Sequence, residues 1–358
     1  LKIFIESVDN SFLDCFSSKK RWFFDKEALL VQMNKWQANL PWIKPYYAMK
    51  ANPSEELLEI LTSSECIGLD AASLNETLLA SYYVDKSNIV YTNPHTIPRE
   101  KDEIIDLGIH LKVVDSINEL HKMIEYGLTC PILIRLKSNM YLANVTFDSK
   151  FGCSQSEAFT IMEYAKENKI QVKGVSFHIG SGGNFDRKFA YQTAIEYSKP
   201  VLEKIEDPIL DIGGGLMYDT DLNAALGWTK DLPYQMIAEP GRYFAQPAYH
   251  LAVQIIEKTS RGVFLDNGVY HELNVYHRDH WEFPKLTHVY DDNSETIEEI
   301  KEYETTNLFG PTCDSYDMLP NIVFPEHVKS GDWIFLRNMG AYTSSASVNF
   351  NGISAAST

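Results

Sequence analysis

Pro45-Tyr46-Tyr47-Ala48-Met49-Lys50-Ala51-Asn52-Pro53 reads as a short, half-buried strand that runs into a turn and then a helix over 54–61. One lysine, Lys50, stands at the strand's exit. At the C-terminal end of a barrel strand a side chain faces a ligand-binding mouth. A lysine held there against apolar neighbours loses its proton readily, because desolvation disfavours the ammonium. A neutral amine is what Schiff-base chemistry requires. On this stretch alone, a solvated lysine at a strand end reads equally well.

Outward from this stretch the alternation repeats. Apolar, strand-like runs stand at 46–50, 68–73, 89–93, 111–116, 131–137, 172–180, 208–215 and 235–241. Helix-like stretches at 54–62, 74–83, 116–126, 154–168 and 187–205 lie between them, with N-caps at Ser116 and Ser154. Eight β-α pairs in about 220 residues predict a (β/α)8 barrel of the TIM type. A doubly wound open sheet competes, but the count of eight and the lack of an early GxGxxG favour the barrel. Past Phe244 the pattern changes. Runs at 250–258, 262–266, 288–290, 333–336 and 344–350 look like strands, and long helices are scarce. The segment 291–304 reads as an acidic surface stretch or short helix. The expected fold is α/β plus β: a barrel over 21–245 and a mostly β domain formed by 1–20 and 246–358.

The balance of 32 basic against 49 acidic residues gives a formal charge of -17. That disfavours nucleic acid and anionic membrane surfaces as partners. The five cysteines, Cys15, Cys66, Cys130, Cys153 and Cys313, show no CxxC pairing. They fit reduced thiols in a cytoplasmic setting better than a disulfide framework or a zinc site. No apolar run is long enough to span a membrane and no signal-peptide pattern opens the chain. The start at Leu1 and the short tail past Gly352 are compatible with one part of a longer protein.

Polar and glycine-rich features recur at the strand ends: Asp70-Ala71-Ala72-Ser73 with Glu76, then Arg135, then His178-Ile179-Gly180-Ser181, then Asp211-Ile212-Gly213-Gly214-Gly215, then Glu239-Pro240-Gly241-Arg242-Tyr243. A lone histidine is commonly a hydrogen-bonded core residue, and a lone glycine run a tight turn. Five such features at strand C-termini describe a pocket for an anionic cofactor. Bare backbone at Gly213, Gly214 and Gly215 lets N–H groups approach a phosphate, and Arg242 can clamp it with a planar fork. Glu239 either makes a structural ion pair with Arg242 or keeps a ring nitrogen protonated. His178 can stack on such a ring. A lysine, a phosphate cradle, a carboxylate for a ring nitrogen and a stacking group are the parts of a pyridoxal-phosphate site.

These motifs carry a family resemblance. Pro45-x-Tyr47-Ala48-x-Lys50-x-Asn52, Asp70-x-Ala72-Ser73, His178-x-Gly180-Ser181, Asp211-x-Gly213-Gly214-Gly215 and Glu239-Pro240-Gly241-Arg242-Tyr243 are joined by Gly310-Pro311-Thr312-Cys313-Asp314-Ser315-x-Asp317 and Gly340-Ala341-Tyr342-Thr343. In this order, over nearly the whole chain, they resemble the barrel-type, alanine-racemase-like pyridoxal 5'-phosphate decarboxylases, closest to the eukaryotic-type ornithine/lysine/arginine decarboxylase group. The resemblance implies that Lys50 carries the cofactor, Glu239 pairs with its ring nitrogen and His178 stacks on the ring. It implies that Ser181, Gly213 to Gly215, Gly241, Arg242 and Tyr342 hold the phosphate, with Asp70, Glu76 and Arg135 in support. It also implies a homodimer with shared sites, in which Cys313 of one subunit reprotonates the product on its partner. Asp314, Asp279 and Tyr270 would bind the substrate's distal amine, and Lys150 would pair with Asp317 across the dimer.

The chain departs from the family over Asn267-Gly268-Val269-Tyr270-His271-Glu272-Leu273-Asn274. His271 and Glu272 stand where the family has Gly and Ser. Two readings are open: drift on a surface turn, or a mouth reshaped for a longer substrate, whether lysine, arginine or a larger molecule carrying an amino-carboxyl group. The expected activity is α-decarboxylation of an amino acid with a distal amine, ornithine-like, in polyamine biosynthesis. An inert regulator on the same fold is the alternative from another class, disfavoured by Lys50, His178, Arg242 and Cys313. A racemase is disfavoured by Cys313 and Asp314.

Overall fold

The computed structural model describes residues 21–138, 143, 147–183, 185–291 and 296–354. The apolar run at 1–5 and Cys15 lie outside the described residues. The chain forms two compact units, Val31–Phe244 and a second that joins Leu1–Leu30 to Ala245–Thr358.

The first strand, β1 (Trp22–Phe24), belongs to the second unit. The first unit is a closed barrel of eight strands: β2 (Ile43–Ala48), β3 (Gly68–Ala71), β4 (Ile89–Tyr91), β5 (Lys112–Val114), β6 (Ile132–Arg135), β7 (Val172–Ser176), β8 (Ile209–Asp211) and β9 (Gln235–Ala238). Every neighbouring pair is parallel, and β9 closes on β2 with Lys44 opposite Ile237. Parallel strands covered by helices are buried on both faces, which is why they read as continuous apolar runs. Tyr46, Val90, Leu111, Val113, Leu133 and Ile237 pack into one buried cluster. Burying each aliphatic side chain contributes about 1.5–3 kcal/mol. The register of β2 on β3 requires Gly68, since a Cβ there would lie 2.5 Å from the Tyr46 ring.

The barrel helices start where their caps dictate. Ser116 accepts from the N–H of Glu119 ahead of the helix Ile117–Tyr126, and Gly127 ends that helix at φ +80°. Ser154 and Glu157 form a reciprocal capping box before Gln155–Glu167, each such cap being worth about 1 kcal/mol. Glu76 serves the same purpose at Leu74–Tyr83: its carboxylate accepts from the Ala72 N–H at 2.7 Å.

The second unit is a mostly antiparallel sheet built on the long strand β10 (Tyr249–Thr259). Around it stand β11 (Gly262–Leu265), β12 (His288–Asp291), β13 (Thr296–Glu299), β14 (Tyr303–Phe309), β15 (Met318–Pro325) and β16 (Trp333–Leu336). β1 pairs with β10, so the residues just after 20 go with this sheet rather than with the barrel. Here one expectation holds only in part and another fails. The 291–304 segment holds strands: β13 pairs antiparallel with β12, and its largely exposed, acidic face is that of an edge strand kept soluble by charge. The 344–350 stretch is no strand. Ser344–Ala346 and Phe350–Gly352 are 3₁₀ turns, closed by bonds from the N–H of Ala346 to Thr343 and of Ser347 to Ser344. Serines satisfy the backbone locally and so compete with strand pairing. Among the described residues no helix is long and apolar enough to cross a membrane.

Candidate active site

The barrel gathers its functional side chains at one end. Lys50 lies in a 3₁₀ turn directly after β2, Asp70 near the end of β3, and Arg135 ends β6. His178 follows β7 by two residues, Asp211 ends β8 and Glu239 follows β9. All stand at strand C-termini.

Lys50 is not wrapped in apolar residues as its sequence suggested. Its side chain is 41% exposed, and its Nζ lies 2.6 Å from the fully buried Asp70 carboxylate. The other Asp70 oxygen takes the Thr92 hydroxyl. Asp70 therefore holds the Lys50 amine in place at the barrel mouth.

His178 accepts the Gly180 N–H at Nδ1, 3.0 Å away. The ring is neutral in that bond, with its proton on Nε2. Burial, with the positive charges of Arg135, Lys50 and Arg242, holds it well below the usual histidine range. The edge of Phe147 meets the ring at 4.6 Å between centroids. Asp211 and Glu239 are buried together. Desolvation, then mutual repulsion and the charge of Asp70, push Glu239 well above the ordinary carboxylate range, and burial raises Asp211 as well.

The glycine turn after β8 is held from its carbonyl side. The Gly213 carbonyl accepts the Glu239 N–H at 2.7 Å, Gly214 the Tyr191 hydroxyl at 2.8 Å, and Gly215 the Arg187 Nε at 3.0 Å. The N–H of Gly213 is taken by Asp211 at 2.9 Å. Those of Gly214 and Gly215 donate to no acceptor among the described residues. Successive bare N–H groups of this kind form an anion-binding nest. Gly213 and Gly215 sit at φ +62° and +105°, where a side chain is strained. Beside them Arg242, on the turn opened by Gly241, donates from Nε to the Ser181 hydroxyl at 3.0 Å. Tyr191, Arg187 and Thr92 escaped sequence reading. The first two lie on the helix Arg187–Leu202, outside the glycine motif, and nothing in their spacing marks them.

This donor set fits pyridoxal phosphate. Buried carboxyls that repel one another suit a cationic ring nitrogen, and the nest with Ser181 and Arg242 suits a phosphate arm. Lys50 brings a primary amine to the same end of the barrel.

The second unit holds the other predicted residues. The Asp314 carboxylate accepts the Tyr270 hydroxyl and the Tyr316 N–H, which lowers its pKa; the same bond pushes Tyr270 up to about 12. Cys313 is exposed, its N–H donating to Asn351 at 3.0 Å. Asp279 is paired with Arg278 at 3.0 Å. Tyr342 adopts φ +61°, a strained conformation for a tyrosine, and its carbonyl accepts from Arg278 Nη2 at 2.8 Å. Asp317 is buried between its own loop and the 267–274 segment, accepting the Val269 N–H at 2.8 Å and the Thr312 N–H and hydroxyl at 3.1 and 2.7 Å. Those bonds are where its carboxylate is used among the described residues.

The 271–273 stretch is no surface turn. His271, Glu272 and Leu273 are buried. Glu272 accepts from Asn267, and His271 Nε2 bonds the Ile353 carbonyl at 3.1 Å. Asn274 donates to the carbonyls of His271 and Thr343, at 2.5 and 3.0 Å. The bulky replacements thus tie this segment to Asn267 and Ile353, and Asn274 ties it to Thr343, next to Tyr342.

Residues 26–246 match the family described as the pyridoxal-binding domain of pyridoxal-dependent decarboxylases. The ornithine decarboxylase of Candida albicans is 30% identical, over 100% of this chain and 86% of that protein. Antizyme inhibitor 2 of Xenopus laevis is 31% identical, over 87% of this chain and 74% of that protein. The solved structure of the Paramecium bursaria Chlorella virus arginine decarboxylase bound to agmatine superposes with a TM-score of 0.85 at 29% identity, covering 97% of each chain. With the closed barrel and these matches in hand, the chain belongs to the pyridoxal-dependent decarboxylases, as a barrel-type amino-acid decarboxylase of the eukaryotic ornithine decarboxylase kind.

Proposed function

We propose that the chain α-decarboxylates an amino acid bearing a distal amine, with ornithine as the reference substrate, in the cytoplasm and as a homodimer with shared sites. The observation that carries this reading is the placement of Lys50, the Asp211–Glu239 pair and the 213–215 nest at one end of one barrel. The three suit the aldehyde, ring nitrogen and phosphate of the cofactor.

When bound, pyridoxal phosphate accepts the electron pair left by loss of carbon dioxide. The residues do the rest. Lys50 attaches the cofactor through Nζ, and Asp70 positions that nitrogen. Glu239 holds a proton on the ring nitrogen, with Asp211 behind it. His178, kept neutral, covers one ring face without adding charge. The N–H groups of Gly214 and Gly215, with Ser181, Arg242 and the Tyr342 hydroxyl, anchor the phosphate. Arg135 balances the buried acids. Cys313 Sγ delivers a proton to the substrate α-carbon of the neighbouring subunit. Asp314, Tyr270 and Asp279 bind the distal end.

The relative named an antizyme inhibitor shares the frame, but Lys50, His178, Arg242 and Cys313 together support an enzyme here. The test is carbon dioxide release from ornithine, lysine, arginine and diaminopimelate, with and without added pyridoxal phosphate. Cofactor-dependent release from at least one of them is expected. No release from any, in protein that has taken up cofactor, would overturn the reading.

A further inference from the structure

We propose that His271 is a positioning residue for the Cys313 thiol: it anchors the segment 347–353, and Asn351 on that segment holds the Cys313 backbone. This rests on the reading above, in which Cys313 delivers a proton to the substrate.

His271 is itself firmly held. Its N–H donates to the Gly268 carbonyl at 3.0 Å, its carbonyl accepts the Asn274 side-chain amide at 2.5 Å, and the residue is 1% exposed. Its ring makes one bond outward, from Nε2 to the Ile353 carbonyl at 3.1 Å. A carbonyl only accepts, so the ring proton is on Nε2. Nδ1 is buried with no hydrogen-bond partner among the described residues. An unpaired buried nitrogen costs stability, so filling space is a poor reason for an imidazole here. Two further contacts tie the same segment to the neighbouring residue. The Val348 N–H donates to the Tyr270 carbonyl at 2.9 Å, and the Phe350 ring stacks on the Tyr270 ring at 4.3 Å between centroids.

Asn351 lies between the Phe350 and Ile353 attachments, at φ +60°, a left-handed conformation that asparagine adopts more readily than most residues. Its Oδ1 accepts the Cys313 N–H at 3.0 Å, the one hydrogen bond that Cys313 makes among the described residues. The residues on either side of Cys313 are held by other means. Thr312 is bonded to Asp317, and the Asp314 carboxylate accepts the Tyr270 hydroxyl. Tyr270 is in turn bound by the 347–353 segment. Residues 313 and 314 therefore both depend on the joint between that segment and Tyr270-His271. The Cys313 side chain is exposed, so its backbone decides where the thiol points. A proton donor acts only within hydrogen-bond reach of its acceptor, and small misplacements from distant changes are costly in rate.

The experiment compares pyridoxal-phosphate-loaded wild type, His271→Phe, His271→Gln, Asn351→Gly and Cys313→Ala. Phe keeps a ring and removes the donor, while Gln keeps a donor toward Ile353; Leu replaces Phe should the larger ring disturb folding. Gly removes the Asn351 amide at an exposed position and tolerates the positive φ. Two quantities are read: hydrogen exchange in the peptide that spans Cys313, and the fraction of ornithine turnovers that end in misprotonated product. Exchange at Cys313 is expected to quicken about threefold or more in His271→Phe and Asn351→Gly, the worth of one hydrogen bond. The misprotonated fraction should rise in the same two variants toward that of Cys313→Ala, and His271→Gln should restore wild-type values of both. Wild-type exchange at Cys313 in His271→Phe would overturn the proposal. So would clean product from His271→Phe beside misprotonated product from Cys313→Ala, since the contact would then be structural only. Clean product from Cys313→Ala itself would overturn the reading of the thiol as proton donor, and this proposal with it.

Discussion

Lys50 Nζ lies 2.6 Å from a carboxylate oxygen of Asp70, and Asp70 is held in turn by Thr92. The lysine is thus positioned by an ion pair whose acidic half is buried inside the barrel and whose basic half reaches the mouth. Replacing Asp70 by Asn keeps the shape and removes the charge. About a tenfold or greater loss of kcat/KM is expected, since a charged hydrogen bond is worth about 1.5–3 kcal/mol. Unchanged kinetics in Asp70→Asn would mean that the pair is only structural.

Glu239 and Asp211 predict a pH dependence of the cofactor-free protein. Burial and mutual repulsion raise the pKa of both carboxyls in the folded state. The folded protein then keeps protons that the unfolded chain releases above about pH 4. This contribution to stability is full below that pH and is lost as pH rises through the raised folded values. His178, depressed by burial and neighbouring cations, works the other way and costs stability as pH falls below about 6.5. Glu239→Gln removes only the first effect. Thermal melts of the cofactor-free variant from pH 5 to 8 should therefore gain stability relative to wild type toward the alkaline end. An unchanged difference across that range would contradict the shared burial.

Gly213→Ala tests the nest. A Cβ there would sit 2.3 Å from the Phe177 carbonyl at φ +62°. The variant should lose about 1–3 kcal/mol of stability by urea unfolding and bind pyridoxal phosphate more weakly. Gly127→Ala is the control. It shares a positive φ but has nothing within 4 Å, so it carries only the backbone penalty and leaves cofactor affinity unchanged.

Cys313→Ala should slow decarboxylation about a hundredfold, within the range for a positioned proton donor, and yield misprotonated product. Mixing Lys50→Ala with Cys313→Ala subunits should recover part of the activity if the sites are shared. Clean amine product at wild-type rate from Cys313→Ala would remove that thiol from the mechanism, and no recovery despite subunit exchange would count against shared sites.

The barrel was legible because each strand is a compact apolar run ended by a polar or glycine motif, and parallel strands have no exposed face to blur the pattern. The sheet of the second unit was less so. Tyr303–Phe309 and Met318–Pro325 pair along most of their length but carry polar residues and a bulge near Thr306, and Thr296–Glu299 is an acidic edge. At the site, Gly213 to Gly215 announced a bare backbone, but not the Tyr191 and Arg187 side chains that decide which way its N–H groups face. The burial of His271 and Glu272 was hidden for the same reason. Their partners, Ile353 and Asn267, are set by the tertiary fold and leave no periodic mark. Arg278 beside Asp279 was plain in the sequence, yet only side-chain geometry shows the arginine gripping its neighbour.

Borohydride trapping tests most directly the proposal that Lys50 carries pyridoxal phosphate. Protein loaded with the cofactor, reduced with borohydride and digested should yield one labelled peptide, with the pyridoxyl group on Lys50 and the visible absorbance bleached. A label on another lysine, or protein that takes up cofactor yet yields no labelled peptide, would contradict it.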